Sequence, residues 1–298
     1  MTDLHSRVSV IIPAWNRADG LRRSIQSVLD RTLCDFELIV VDDGSDDQTP
    51  HAVDEIADKR LRLVRTAHRG VSAARNTGAN EASGAVLIFL DCDDLILPGW
   101  VGELSAPILS GQCDLTISGW QMCDADGRET TWIPDSTRMT PDDIAPHFLA
   151  GAWAIATNCF QDIGGFDESI TYGECTEFAL RLLLSQHPPR IGSIDRPLHI
   201  HHRRIDLPPG VQATGARSVL TKHKVHRHSL PRTWAAYHTL VGVDDARNMR
   251  NWQATRHFLA ALISDPRGPR RTSRFLVSLI PRLARRVWKD RAILTRAT

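Results

Sequence analysis

Residues 85–94 of the chain read Ala85-Val86-Leu87-Ile88-Phe89-Leu90-Asp91-Cys92-Asp93-Asp94, and the rest of the fold can be worked out from them. Its first six residues form a continuous apolar run, which is typical of a strand that is buried on both faces. Three carboxylates follow within four residues, and burying them without partners would be very costly. We therefore expect these carboxylates at the carboxyl end of a strand, at the mouth of a cleft.

The three carboxylates also indicate a cation site. Carboxylates that converge on one point repel each other unless a cation lies between them, and their hard oxygen atoms suit Mg²⁺ or Mn²⁺. The alternative is a solvated acidic turn that caps the helix following Pro98-Gly99. The stretch taken alone does not separate these two interpretations.

Strands and helices alternate through the first ninety residues. Apolar runs predict strands at 8–12, 36–41, 61–64 and 85–90, and helical patterns lie between them. This alternation predicts an α/β fold with an open, mostly parallel sheet that is flanked by helices. The strands' carboxyl ends would bring Trp15-Asn16, Asp42-Asp43 and Asp91 to Asp93 to the same edge.

Composition narrows the class of protein. The chain has 298 residues and an ordinary globular composition. It shows no apolar run near the roughly 20 residues of a membrane span and no signal-peptide core at its first residues. The six cysteines form no Cys-x-x-Cys pair, which argues against a zinc site or a disulfide framework. We therefore expect a cytoplasmic protein.

Charge is unevenly distributed along the chain. Residues 267–298 contain ten Lys or Arg and one acid, Asp290, for a charge of about +9, which leaves residues 1–266 near −8. Residues 246–264 are predicted to be helical and amphipathic, and Phe275, Leu276, Leu279, Leu283 and Val287 recur at helical spacing around Pro281. This pattern predicts contact between residues 267–298 and an anionic membrane surface, at the inner face of the membrane. The alternative is a helix packed on the protein's own surface. Nucleic acid is a poor match because the acidic body would repel it.

Four ordered motifs resemble the signatures of the family 2 glycosyltransferases, which have the A-type glycosyltransferase (GT-A) fold. They are Val8-Ser9-Val10-Ile11-Ile12-Pro13-Ala14-Trp15-Asn16-Arg17, Val40-Val41-Asp42-Asp43-Gly44-Ser45, Gly70-Val71-Ser72-Ala73-Ala74-Arg75-Asn76-Thr77-Gly78 and Phe89-Leu90-Asp91-Cys92-Asp93-Asp94. Ile163-Gly164-Gly165-Phe166-Asp167-Glu168 is similar to the family's acceptor-side turn. The resemblance covers about residues 6–205 and is specific because the motifs occur together and in order.

The resemblance implies a donor site for a nucleotide sugar. Its expected binding residues are Pro13, Trp15, Asn16, Asp42, Asp43, Arg75, Asp91 and Cys92. Trp15 would pack by the base, the Asp42 and Asp43 carboxylates would accept hydrogen bonds from base and ribose, and Arg75 would approach the nucleotide. The expected ligands of a Mn²⁺ or Mg²⁺ cofactor are Asp93, Asp91 and His201. The structural alternatives are a core Trp15, a simple turn at Asp42-Asp43-Gly44-Ser45 and a surface Arg75.

The catalytic position departs from the family. The stretch Thr171 to Leu182 resembles the family's Glu-Asp motif opening a helix, but Cys175 stands where the family has its catalytic aspartate. An inverting transferase needs a general base, and cysteine is a poor substitute. Glu174 and Glu177 share a helix face and are the candidate bases. Alternatively, Glu174 completes a capping box with Thr171 and Glu177 pairs with Arg181.

Two further groups carry open alternatives. His199 and His201 fall on one side of a short strand, where either could reach the metal or the diphosphate, or could belong to a surface cluster. Trp132 and Trp153 could stack on an acceptor sugar or lie buried in the core. The turn Asp124 to Arg128 is predicted to be a hairpin tip.

Taken together, the sequence predicts three parts: a nucleotide-sugar-binding half at residues 1–120, an acceptor-binding half at 121–210 and a basic helical extension at 211–298. The expected function is inverting transfer of a sugar from a UDP or dTDP sugar to a saccharide, lipid-linked or other hydroxyl acceptor, in the synthesis of a cell-surface polysaccharide, glycolipid or glycoconjugate. The alternative is a nucleotide-sugar-binding protein that has lost transfer, as Cys175 indicates. A dehydrogenase is excluded because no Gly-x-Gly-x-x-Gly follows the first strand.

Overall fold

The described residues include one mixed β-sheet. The computed structural model describes residues 8–32, 34–123, 129–202, 210–268 and 270–279. In these residues the strands are β1 (Val8–Ala14), β2 (Glu37–Asp42), β3 (Leu61–Arg65), β4 (Val86–Phe89), β5 (Leu95–Ile96), β6 (Leu115–Cys123), β7 (Glu129–Trp132), β8 (Trp153–Ala156) and β9 (Ile191–His202). Their order is β3-β2-β1-β4-β8-β6-β9-β5, and β7 pairs with β6.

Helices alternate with the early strands and dominate the later chain. They are α1 (Ala18–Arg31), α2 (Thr49–Asp54), α3 (Val71–Glu81), α4 (Trp100–Leu109), α5 (Pro141–Ile144), α6 (Thr157–Asp162), α7 (Glu174–Leu183), α8 (Val211–Lys222), α9 (Pro231–Arg247), α10 (Asn251–Ser264) and α11 (Arg271–Ser278). Short 3₁₀ turns occur at Ala145–His147 and Lys224–His226. None of the helices in the described part of the chain is both long and apolar enough to span a membrane.

The first half of the sheet is parallel, as the alternating pattern predicts. Strands β3, β2, β1 and β4 are mutual parallel neighbours, with Ala14 opposite Asp42 and Ile11 opposite Phe89. Because parallel strands end at the same edge, this register brings the residues after β1, β2 and β4 together. The second half is mixed: β8 runs antiparallel to β4 and β6, whereas β9 is parallel to β6.

Apolar side chains fill both faces of this sheet. The apolar residues of β1, β2 and β4 are buried. Trp153 is also fully buried, and its ring stacks on Phe148 and Phe178 at centroid distances of 4.6 and 5.6 Å. The core alternative is therefore correct for Trp153, and sugar stacking by this residue is excluded. Trp132 instead stacks on His147 at 4.5 Å, near the edge of the sheet.

The chain divides into two compact units. The first comprises residues 1–140, 147–169 and 174–206, and the second comprises 141–146, 170–173 and 207–298. Within the second unit, the Asp142 carboxylate accepts hydrogen bonds from the backbone N–H groups of Arg232 and Thr233, at 2.9 and 2.8 Å. It thereby caps the amino end of α9 from a distant part of the sequence. The three-part division at residues 120 and 210 stays a prediction.

The amphipathic helix predicted over residues 246–264 begins five residues later than expected and ends where it was predicted to end. Helix α9 ends at Arg247, α10 begins at Asn251, and Met249 between them has a φ of +61°. The left-handed conformation cannot continue a right-handed helix, so the chain turns there. The predicted hairpin tip Asp124 to Arg128, Pro281, Leu283 and Val287 lie outside the described residues. The flanking strands β6 and β7 do pair antiparallel.

Candidate functional site

The three carboxylates after β4 occupy different environments. Asp91 and Asp93 are half-buried, whereas Asp94 is fully buried. Gly20 in α1 lies directly against this loop, since a Cβ added to it would be 3.1 Å from the carbonyl oxygen of Cys92. At this edge of the sheet, Asp91 and Asp93 are therefore partly accessible to solvent, whereas Asp94 lies in the interior.

Asp94 fastens the end of β9 to this loop. Its Oδ2 lies 3.0 Å from Nδ1 of His201, and its Oδ1 accepts the backbone N–H of His202 at 2.8 Å. Burial alone would lower the pKa of His201, but the hydrogen bond to Asp94 and its negative charge raise that pKa to about 9. A carboxylate that holds one ring nitrogen of a histidine orients the other nitrogen for a ligand, and a cation bound there would displace the proton that His201 otherwise carries at pH 7.

His199 lies beside this pair. It is fully buried, and neither of its ring nitrogens has a hydrogen-bond partner among the described residues. Burial lowers the pKa of His199 to about 3, so its ring is neutral at pH 7. Donor atoms of Asp94, His199 and His201 lie within 4.8 Å of one another, a set of carboxylate and imidazole ligands that suits a divalent cation. In the described chain, the predicted set of Asp93, Asp91 and His201 is not brought together at this distance; only His201 belongs to the group.

Arg75 links the donor-side carboxylate to the candidate base. This residue of α3 is 1% exposed. Its Nη2 donates to Asp91 Oδ1 at 2.5 Å and its Nη1 donates to Glu174 Oε1 at 2.8 Å. Burial alone would raise the pKa of Asp91, but the Arg75 guanidinium holds that pKa below its ordinary value. The surface position considered for Arg75 is therefore wrong.

The turn that precedes α7 completes the surroundings of Arg75. Asn76 binds this turn in both directions, because its Nδ2 donates to the carbonyl of Phe166 and its Oδ1 accepts the Phe166 N–H, both at 2.9 Å. The Phe166 ring then lies 5.2 Å from the Arg75 guanidinium carbon. The sequence identified this turn by resemblance but did not indicate its pairing with Asn76.

Glu174 and Cys175 open helix α7. The described contacts of the Glu174 carboxylate both involve Oε1, which binds Arg75 and lies 3.8 Å from the Cys175 sulfur. Cys175 is buried, and burial raises the pKa of its thiol. A thiol that stays protonated cannot serve as a base at neutral pH.

Glu177 is held by a neighbouring arginine. It is buried, and both of its carboxylate oxygens accept hydrogen bonds from Arg181, the shortest at 3.0 Å. Arg181 also donates to the carbonyl oxygens of Ile163 and Gly165, at 2.7 Å each. The pair therefore fastens α7 to the acceptor-side turn, and this geometry favours the structural alternative over the predicted role of Glu177 as a base.

Trp15 provides the flat surface at the end of β1. Its ring is 50% exposed and stacks on His68 with centroids 4.3 Å apart and planes 23° apart. Asn16 has a φ of +50°, its N–H donates to Ser45 Oγ, and its Oδ1 accepts the Asp46 N–H. The core alternative for Trp15 is therefore wrong. Pro13, by contrast, is buried within β1, and Cys92 is half-buried after Asp91.

Asp42 and Asp43 organise the loops around this aromatic pair. Both carboxylates are buried. Asp42 accepts hydrogen bonds from the Ser45 N–H and Arg65 Nε, both at 3.0 Å. Asp43 accepts the N–H groups of Arg69 and Gly70, at 2.9 and 2.8 Å. This geometry supports the turn interpretation, and a direct contact with a nucleotide stays a prediction for both residues. No sequence pattern indicated His68, which stacks on Trp15.

The family model and the curated relatives all point to glycosyltransferases. The family model described as "Glycosyl transferase family 2" matches residues 9–161. The uncharacterized glycosyltransferase EpsJ of Bacillus subtilis is 28% identical over 211 residues, covering 65% of this chain and 60% of EpsJ. WfgD of Escherichia coli, named a UDP-Glc:alpha-D-GlcNAc-diphosphoundecaprenol beta-1,3-glucosyltransferase, is 42% identical over 89 residues, covering 30% of this chain and 35% of WfgD.

Solved structures show the same fold. The crystal structure of residues 1–349 of S. aureus TarS matches with a TM-score of 0.63 at 19% identity, covering 95% of this chain and 88% of that one. A TarS structure in complex with UDP-GlcNAc matches with a TM-score of 0.58 at 18% identity, covering 91% and 90% of the two chains. These matches confirm the predicted fold class. The chain spans 60% of the length of EpsJ and a smaller share of WfgD.

Proposed function

Because this chain belongs to glycosyl transferase family 2, we propose that it transfers a sugar from a nucleoside diphosphate sugar to an acceptor hydroxyl, with inversion at the anomeric carbon. The observation that carries this proposal is the buried Arg75, whose two terminal nitrogens bind Asp91 and Glu174. One guanidinium thus holds a carboxylate of the donor-side loop and the carboxylate best placed to act as a base. Sugar transfer requires the bound donor and the general base to be held close together in a fixed geometry.

We propose a uridine diphosphate sugar as donor, with the thymidine analogue as the second choice. TarS has been crystallised with UDP and with UDP-GlcNAc, and the name of WfgD gives UDP-Glc as its donor. The exposed ring of Trp15 supports this choice, because a flat aromatic surface suits a flat base. His68 backs the Trp15 ring and would restrict its rotation.

The proposed acceptor is a saccharide, carried on a lipid or on another glycoconjugate. The name of WfgD specifies a diphosphoundecaprenol-linked sugar as its acceptor. Among the residues of this chain, Trp132 stays a proposed contact with the acceptor because it is partly exposed and lies parallel to the His147 ring.

The residues present fit a divalent cation. Asp91 and Asp93 are half-buried carboxylates on the loop after β4, and His201 has one ring nitrogen directed by Asp94. When bound, Mn²⁺ or Mg²⁺ would neutralise the charge of the leaving diphosphate. We propose His201 and His199, the two imidazoles of the Asp94 group, as ligands, and Asp93 and Asp91 of the adjacent loop as the carboxylates that complete the set when the cation binds. Asp94 would act indirectly, by orienting His201.

Glu174 is the proposed general base. The acceptor hydroxyl attacks the anomeric carbon, the bond from this carbon to the diphosphate oxygen breaks, and the hydroxyl proton passes to the Glu174 carboxylate. Arg75 holds Oε1 of this carboxylate, so Oε2 would accept the proton. The pairing keeps the carboxylate in one orientation, which favours catalysis by positioning.

A second candidate is a nucleotide-sugar-binding protein without turnover. It is favoured by one observation: a buried thiol, Cys175, lies where the resemblance places an aspartate. The two functions predict different results in an assay of UDP release from a panel of nucleotide sugars with Mn²⁺ and saccharide acceptors. Release above background, together with a glycosylated product, supports transfer. A rise in melting temperature with a nucleotide sugar, but no release with any acceptor, supports binding alone. In that case, turnover gained in Cys175→Asp would identify the missing base.

A further inference from the structure

Helix α10 has an apolar outer face in addition to the face that it buries. Ala254, Phe258 and Ala261 point inward, and the Phe258 ring packs against Gly242 of α9. Trp252 and Ile263 lie on the opposite side and are 71% and 72% exposed. Soluble proteins rarely display such large apolar side chains in a contiguous row.

The exposed side chains of α10 form one stripe. Trp252, Arg256, Leu259 and Ile263 follow the spacing i, i+4, i+7 and i+11, which places them on one side of a helix. Leu259 is also exposed. Arg256 is the one charged residue among these four, and its charge is positive.

Helix α11 extends the apolar surface. Thr255 Oγ1 of α10 donates to the carbonyl of Ser278 at 3.2 Å, which fastens the two helices together. Phe275 and Val277 pack on the buried cluster of α9 and α10, whereas Leu276 and Leu279 are more than half exposed. We call the exposed residues Trp252, Arg256, Leu259, Ile263, Leu276 and Leu279 the α10–α11 face.

The charge around this face has one sign. Residues 251–279 contain five arginines and one acid, Asp265, which pairs with Arg271. Arg267 and Arg270 are exposed in the segment between the two helices. Apolar side chains bordered by exposed arginines match a surface that is negatively charged and apolar beneath.

We propose that the α10–α11 face binds an anionic lipid bilayer, with both helices lying in the plane of the interface. This goes beyond the proposed transfer reaction and does not depend on it. The positive charge around the α10–α11 face indicates which partner binds there. A second copy of the same face would set five arginines against five, and residues 280–298, which carry six Lys or Arg and one acid, have the same sign. An anionic lipid surface instead attracts these residues, and the Trp252 ring suits the depth where apolar and polar groups meet.

Vesicle binding by the full chain tests this proposal. Co-sedimentation is measured with vesicles of phosphatidylglycerol and phosphatidylcholine and with vesicles of phosphatidylcholine alone, at low and high salt. We expect binding to the anionic vesicles, weaker binding at high salt and little binding to the neutral ones. The variant Trp252→Ser/Leu259→Ser/Ile263→Ser should bind at least about tenfold more weakly, because three apolar groups no longer enter the interface.

The matched control is Val225→Ser, which removes an 81% exposed apolar side chain from a different segment of the second unit. It should bind like the parent protein. Equal binding of the triple variant and the control would overturn the proposal, and so would equal binding to neutral and anionic vesicles. If the triple variant melts at a lower temperature or loses a dimer that the parent forms, with unchanged vesicle binding, the face is covered by protein and the proposal is wrong.

Discussion

Removing Arg75 should destabilise the first unit far more than removing a surface arginine. The guanidinium is 1% exposed and separates two carboxylates, those of Asp91 and Glu174. Taking away one partner of a buried ion pair costs about 3–5 kcal/mol, because the remaining charges are left unpaired in the interior. We therefore expect Arg75→Met to lower the free energy of unfolding by about 3–5 kcal/mol, and the melting temperature by about 10 °C.

A matched control is available on α1. Arg22 also pairs with a carboxylate, that of Glu55 at 2.5 Å, but both side chains are about half exposed. Exposed pairs contribute about 0–1 kcal/mol because water and salt screen them. Urea unfolding at pH 7, followed by circular dichroism, compares Arg75→Met with Arg22→Met.

The double variant Arg75→Met/Glu174→Gln tests the cause of the loss. If the loss arises from unpaired charge, neutralising Glu174 removes one of the two carboxylates and should recover at least about 1 kcal/mol relative to Arg75→Met. Two outcomes refute this reasoning. One is an Arg75→Met variant no less stable than Arg22→Met. The other is a double variant less stable than Arg75→Met.

Three further predictions concern packing, pH and the cation. Gly78→Ala should lower the free energy of unfolding by about 1–3 kcal/mol, because the new Cβ would lie 2.5 Å from a methyl group of β1. The control Gly102→Ala, which has open space around it in α4, should leave the stability unchanged or raise it. The midpoints of urea unfolding distinguish the two variants. His238 and His257 share a 2.8 Å contact between ring nitrogens, and burial lowers the pKa of His238 to about 4. The unfolded chain therefore binds the proton first, so His238 alone should contribute a loss of stability from pH 6.5 towards 4 of up to about 1.4 kcal/mol per pH unit, and the fall should be shallower in His238→Leu. Asp93→Ala should reduce UDP affinity with Mn²⁺ to the value of the parent in EDTA, measured by calorimetry; equal affinity in all three conditions would contradict the metal assignment.

Sequence patterns predicted the first half of this fold because each of its early strands and helices is encoded by a short continuous stretch of residues. Strands β1, β2 and β4 are short, mainly apolar runs and are almost entirely buried, as such runs require, whereas β3, which carries Arg62, is only partly buried. The edge that gathers Trp15, Asp42 and Asp91 follows from parallel pairing alone. Residues 246–264 were harder, since apolar spacing continues through Met249 and only a backbone turn separates the two helices.

The contacts within the site were not predictable in the same way. Arg75 and Glu174 are 99 positions apart, and Asp94 and His201 are 107 apart. No periodicity relates residues at such distances, so their pairing depends on how β8, β9 and α7 pack on the first half of the sheet. The same is true of Asp43, whose carboxylate binds the backbone of residues 69 and 70. A sequence motif shows which side chains could bind a ligand, and the tertiary packing decides which of them already bind other residues of the protein.

In the proposed reaction Glu174 takes the proton of the acceptor hydroxyl, and turnover by Glu174→Gln measures this role. Glutamine keeps the size of the side chain and an oxygen that can accept the Arg75 hydrogen bond, but it cannot act as the base. We expect kcat to fall by about 10²-fold or more, with the affinity for UDP unchanged. Glu177→Gln should retain the donor affinity and most of the turnover of its folded fraction, because the Glu177 carboxylate binds Arg181. Normal turnover by Glu174→Gln would contradict the account.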